Sequence, residues 1–227
     1  SASNESIKIQ IAQFNAIVGD IRINTQKILN LVIEAADSGA HLIVFPEMAL
    51  TGYPPEDLLF RDGFMTQVEE QIDFLCDSIP SSISVLFGAP SRIDDFLFNS
   101  AYCIQNNRIS HVYHKQELPN YGVFDEKRYF SSGNQSYVFE CQKTKIGVLI
   151  CEDQWIDGPI SKLCQLDVDI VISLNASPFQ AEKHNDRLNI CKNYASEFEI
   201  SYIYVNMVGG QDEVVFDGNS FVLNSEG

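Results

Sequence analysis

The chain has 227 residues, 45% of them hydrophobic and 20% charged, which suits one sizeable domain whose core needs no disulfide or metal staple. Its formal net charge of −16 argues against a nucleic-acid or anionic-membrane partner, because such a surface repels phosphates. The cysteines, Cys76, Cys103, Cys141, Cys151, Cys164 and Cys191, are scattered without a CxxC pair, and most lie in apolar stretches as reduced core residues do. Ser1–Phe14 has neither a basic n-region nor an apolar h-region, and no apolar run reaches membrane-spanning length, so a cytoplasmic setting is expected.

Taken in chain order, a strand-like run at Ile7–Asn15 precedes a helical pattern at Asn24–Ser38, closed by Gly39. His41–Glu47 is an apolar strand that ends on a carboxylate, and Phe64–Cys76 predicts a second helix. Strands follow at Ser84–Pro90, Phe98–Gln105 and Arg108–Lys115, the last two joined by Asn106-Asn107, a pair suited to a hairpin turn. Tyr137–Gln142 and Lys145–Asp153 predict two more strands. Beyond them come a helix over Ile160–Leu166, a strand at Asp169–Ser177, a helix over Asp186–Phe198, and strands at Ser201–Gly209 and Ser220–Asn224. Strands alternating with helices, plus hairpins, predict a mixed α/β protein, and no repeat or biased linker divides it. The last strand has no closing helix, which suggests a piece of a longer polypeptide.

Three places share one shape, an apolar strand followed at once by polar residues. Leu42–Leu59 (LIVFPEMALTGYPPEDLL) presents Glu47, Ile109–Phe130 (ISHVYHKQELPNYGVFDEKRYF) presents Lys115, and Lys145–Trp155 (KIGVLICEDQW) presents Cys151. Alone, each has an ordinary reading as a strand-terminal carboxylate, a surface lysine or a buried structural cysteine. Together they are chemically complementary: a thiol can attack an amide, a carboxylate can move its proton, and an ammonium can hold the developing negative charge. Histidines 41, 111, 114 and 184 leave a Cys–His dyad open, but no third ligand stands at metal-site spacing. Neither GxxxxGK[ST] nor a strand-linked GxGxxG appears, so no phosphate-cradling loop is read within these residues.

These motifs, in this order, resemble the carbon–nitrogen hydrolase (nitrilase) superfamily with its Glu–Lys–Cys triad. TGYPPEDLL, LPNYGVFDEKRYF, CEDQW, NASPF and GGQDEVVFDGNS are similar to one branch, the glutaminase domains of glutamine-dependent NAD⁺ synthetases. The resemblance implies an α-β-β-α sandwich of two mixed sheets flanked by helices, spanning residues 1–227. It further implies Glu47 as general base, Lys115 as electrophilic stabiliser and Cys151 as nucleophile. Tyr121, Ser177 and Lys183 match the glutamine-binding positions, and Glu126, Glu152 and Tyr53 are candidate supporting residues. L-glutamine is the expected substrate, with no metal or organic cofactor for its hydrolysis. A C-terminal synthetase domain using ATP and Mg²⁺, absent here, is expected to receive the ammonia, and a homo-oligomer is expected. The alternatives are a stand-alone amidase or nitrilase acting on another small amide, and a non-catalytic assembly domain of the same fold.

Overall fold

The computed structural model describes residues 6–119, 125–154, 158–176, 189, 192–206, 213–216 and 221–223, with the backbone alone at 152, 154, 213–216 and 221–223. In chain order its first half contains β1 (Ile7–Ile11), α1 (Ile21–Asp37), β2 (Leu42–Val44), α2 (Phe64–Ser78), β3 (Ser84–Ile93), β4 (Phe96–Gln105) and β5 (Arg108–His114). Its second half contains β6 (Val138–Cys141), β7 (Thr144–Ile150), α3 (Pro159–Cys164), β8 (Ile170–Leu174), β9 (Ser201–Val205), β10 (Glu213–Phe216) and β11 (Phe221–Leu223). The strands form a six-stranded sheet in the order β10-β1-β2-β3-β4-β5 and a five-stranded sheet in the order β11-β9-β8-β7-β6. Both are mixed: β1, β2 and β3 are parallel, as are β7, β8, β9 and β11, and the remaining pairs are antiparallel.

The near-continuous apolar runs are explained by strands buried on both faces. Leu42 and Val44 of β2 point into the layer between the sheets, where they meet Ile9, Leu86, Val148 and Ile172, while Ile43 points the other way. That outer side of the first sheet carries α1 and α2, through Ile28, Val32, Val68 and Ile72. The outer face of the second sheet places Leu149, Val171, Tyr202 and Tyr204 against Ile160 and Leu163 of α3. The result is an α-β-β-α sandwich. Among the described residues no helix is long and apolar enough to cross a membrane.

Several boundaries differ from the sequence reading for local reasons. Helix α1 begins at Ile21 rather than Asn24, because Asp20 caps it by accepting the Ile23 N–H at 3.2 Å. Asn24 is instead buried and donates to the carbonyls of Ile17 (2.8 Å) and Leu50 (3.0 Å). Strand β3 runs on past Pro90 to Ile93, since it pairs with β4 along its whole length through a turn at Asp94. The Asn106-Asn107 turn stands as read: both residues have left-handed φ values, 53° and 63°.

Candidate active site

Glu47, Lys115 and Cys151 each follow the C-terminal end of a strand: β2, β5 and β7. Beyond β2 the chain keeps pairing with β3, the Phe45 N–H donating to the Leu86 carbonyl (2.8 Å) and the Gly88 N–H to that of Pro46 (3.1 Å). Gly88 permits this approach. A Cβ there would stand 2.4 Å from the Met48 nitrogen and 2.7 Å from Glu47 Cα, so no side chain fits. From the other sheet, the Asn175 carbonyl accepts the Glu47 N–H at 3.3 Å. Lys115 is fixed on both sides of its backbone, its N–H donating to Asn99 and its carbonyl accepting from Gly133, each at 2.8 Å.

Cys151 opens a 3₁₀ turn over Cys151–Gln154 and has φ of 44°. A left-handed conformation in a non-glycine residue costs about 1–3 kcal/mol and persists only where the surroundings impose it. The turn takes the chain out of β7 just where the thiol is presented.

The charged groups converge in a space closed off from bulk solvent. Lys115 and Glu126 are fully buried and Glu47 is 1% exposed. Lys115 Nζ donates to Glu126 Oε2 at 2.8 Å and to Glu47 Oε2 at 3.2 Å. Asn99 Nδ2 bridges the same two carboxylates, 2.7 Å from Glu47 Oε2 and 2.8 Å from Glu126 Oε1. Glu47 Oε1 is left without a hydrogen-bond partner among the described residues. Burial pushes Glu47 up to about 7, with Glu126 adding to the rise and Lys115 and Asn99 opposing it. Burial alone would lower Lys115, but the negative charges of Glu47 and Glu126 hold it well above the ordinary lysine value. Tyr53, partly buried, has its phenol pushed up chiefly by burial, with the charges of Glu47 and Glu126 adding to the rise.

The structure thus brings Glu47, Lys115, Glu126, Tyr53 and Cys151 into one electrostatic neighbourhood. Glu126, a candidate supporting residue by sequence, is buried and pairs directly with the lysine. Lys115 faces two carboxylates, which leaves one negative charge in excess whenever both glutamates are ionised. Tyr121, Ser177, Lys183 and the side chain of Glu152 lie outside the described residues. Two buried residues, Asn99 and Asp153, belong to the site's framework although no motif singled them out for it. Asp153 stood in the quoted CEDQW segment, and Asn99 gave no local signal, being one polar residue in a strand. A cleft of about 470 Å³ lined by Phe60, Arg92, Phe96, Lys127, Arg128 and Tyr129, among others, lies elsewhere, with none of Glu47, Lys115 or Cys151 in its wall.

Known proteins match this chain in sequence and in fold. Residues 8–227 match the family described as carbon-nitrogen hydrolase. The glutamine-dependent NAD(+) synthetase of Synechocystis sp. is 40% identical over 237 residues, covering 96% of this chain and 42% of the relative. That of Thermotoga maritima is 37% identical over 226 residues, covering 97% of this chain and 39% of the relative. The chain therefore spans about two fifths of the length of these curated relatives. Among solved structures, the glutamine-dependent NAD⁺ synthetase from Acinetobacter baumannii superimposes with a TM-score of 0.84 at 40% identity, covering 94% of this chain and 40% of that one. A nitrilase-superfamily amidase from Nesterenkonia shares the fold at 19% identity, with a TM-score of 0.75, covering 92% of this chain and 82% of its own. With the match running through nearly every described element, the chain belongs to the carbon–nitrogen hydrolase family.

Proposed function

We propose that this chain is a glutamine amidohydrolase that supplies ammonia to an ATP-dependent synthetase domain, which amidates deamido-NAD to NAD. The observation that carries the reading is a fully buried lysine held between two carboxylates within electrostatic reach of a strand-terminal thiol. The similarity to glutamine-dependent NAD⁺ synthetases supports the choice of glutamine, and the two-fifths coverage of those relatives supports a further domain as the ammonia acceptor. ATP and Mg²⁺ belong to that domain.

The chemistry follows from the charges. A thiol beside carboxylates does not ionise on its own, because two negative charges repel, so its proton must leave as the sulfur attacks. Glu47 takes it. Its Oε2 is held by Lys115 and Asn99, so Oε1 is the oxygen we assign to the thiol proton. Sulfur bonds to the glutamine side-chain carbonyl carbon, and the oxyanion that forms is met by Lys115. Glu47 returns the proton to the leaving nitrogen, the C–N bond breaks, and ammonia departs to leave a γ-glutamyl thioester on Cys151. Water then gives a proton to Glu47 and attacks the thioester carbonyl, releasing glutamate and regenerating the thiol. Glu126 holds Lys115 in place throughout.

Two tests bear on this scheme. Below about 7 Glu47 carries a proton and cannot accept another, so kcat/KM should rise with pH through an acid limb near 7. That limb belongs to the Glu47–Lys115–Glu126 set rather than to one carboxyl. Glu47→Gln should abolish ammonia release, and a wild-type limb in the ordinary carboxylate range near 4 would speak against Glu47 as the base.

The second test concerns the substrate. Selecting glutamine over simple amides requires polar groups at its α-amino and α-carboxylate end, and Tyr121, Ser177 and Lys183 are proposed for that role. Lys183→Ala should raise the KM for glutamine at least tenfold, about the worth of one charge-assisted contact. Alkylation of Cys151 by iodoacetamide should stay near the wild-type rate. A panel of glutamine, asparagine and aliphatic amides decides between this reading and a general amidase.

A further inference from the structure

Asp153 is fully buried, and among the described residues its carboxylate accepts four hydrogen bonds that reach both halves of the site. Oδ1 accepts the backbone N–H groups of Gln116 (3.0 Å) and Glu117 (2.8 Å), the two residues after Lys115. Oδ2 accepts the N–H of Ile150 (3.2 Å), the residue before Cys151, and the hydroxyl of Tyr113, two residues before Lys115 on β5. Gln116 Nε2 in turn donates to the Tyr113 hydroxyl at 3.1 Å, closing the network on the lysine side.

The two strand ends lie in different sheets, β5 in the first and β7 in the second. The core between the sheets is built of apolar side chains, which resist compression but do not direct. Hydrogen bonds to a charged acceptor are directional and roughly twice as strong as neutral ones. The left-handed turn at Cys151 also needs an external restraint, and Asp153 closes back onto Ile150 across it. Burial pushes the Asp153 carboxyl up to about 6, with Tyr113, Glu117, Lys115 and Ile150 opposing the rise. No cation forms a direct ion pair with it among the described residues, so its ionised form rests on these donors and on the more distant charge of Lys115.

We propose that Asp153 is a positioning residue of the reaction, its carboxylate tying the ends of β5 and β7 together so that the Lys115 ammonium and the Cys151 sulfur stand at working distance. The inference rests on the amidohydrolase reading above.

The test uses Asp153→Asn and Tyr113→Phe in the full natural polypeptide. In Asp153→Asn one amide oxygen can still accept from Gln116 and Glu117, but the NH₂ then faces the Ile150 N–H, donor against donor. Ammonia release from glutamine should fall in kcat by about 10²-fold, the effect of misplacing reacting groups by roughly an ångström, with KM within about threefold of wild type. Iodoacetamide labelling of Cys151 should slow in the same variant, at a temperature where circular dichroism shows it folded. Tyr113→Phe keeps the three backbone contacts and should lose about fivefold in kcat, the worth of one hydrogen bond, at unchanged KM.

Wild-type kcat and labelling rate in folded Asp153→Asn would overturn the proposal, as would a loss no larger than the fraction of protein unfolded. Should Asp153→Asn fail to fold, Tyr113→Phe decides: the fivefold loss at constant KM supports the positioning role, and full activity overturns it. If the wild type releases ammonia from a different amide and not from glutamine, the glutamine reading fails, and the labelling rate alone scores Asp153.

Discussion

Cys151→Ala is expected to lower glutamine hydrolysis by about four to six orders of magnitude, to the level left when a covalent nucleophile is removed. The thiol is nine-tenths buried at the end of β7, and alanine replaces one sulfur by hydrogen without adding volume. Alanine meets the left-handed φ of 44° with the same Cβ as cysteine, so the turn suffers no new strain. The melting temperature should therefore stay within a few degrees of wild type. Ammonia release measures the activity, and mass spectrometry of the protein after brief exposure to glutamine measures the γ-glutamyl thioester. Retained hydrolysis would mean that the sulfur is not the attacking atom. Where the polypeptide carries a synthetase domain, synthesis from free ammonia should survive the substitution, since only the amide-cleaving step uses the thiol.

Lys115→Met should act on rate and stability together, and the two can be separated. Removing the cation proposed to meet the oxyanion should cost about 10²–10³-fold in turnover. The same change leaves Glu47 and Glu126 buried against each other with one cation fewer, and breaking a buried ion pair from one side costs about 3–5 kcal/mol. Neutralising one carboxylate should recover much of that stability. The double variant Lys115→Met/Glu126→Gln is therefore expected to unfold later in urea than Lys115→Met alone, while remaining as inactive. Equal stability of the single and double variants would show that the two glutamates do not share the lysine's charge in solution.

Much of this site was legible because its parts are local. An apolar run that ends on a charged or nucleophilic residue is visible within ten residues, and Glu47, Lys115 and Cys151 were each readable that way. The helix over residues 64–76 and the Asn106-Asn107 hairpin were legible for the same reason: a 3.6-residue period in the helix, and a left-handed turn that asparagine tolerates. Asn99 was not. It bonds Glu47 across 52 residues of sequence, and its role depends on β4 lying beside β5 in a register that puts its carbonyl on the Lys115 N–H. Glu126 could be read as a candidate but not as a buried partner, since nothing in VFDEKRYF distinguishes a solvated carboxylate from one 2.8 Å from a lysine.

By itself, then, the sequence determined the alternating strands and helices, the three strand-end groups and their chemical complementarity, because each follows from residue type and short spacing. Only the tertiary structure decided that the lysine sits between two carboxylates, that one amide bridges both, and that Asp153 joins the two sheets at the strand ends. Those facts depend on which strands become neighbours and on how much water is left between them. A charge in water and the same charge in a closed apolar sandwich are the same letter in the sequence, but burial makes the second one exacting about its partners.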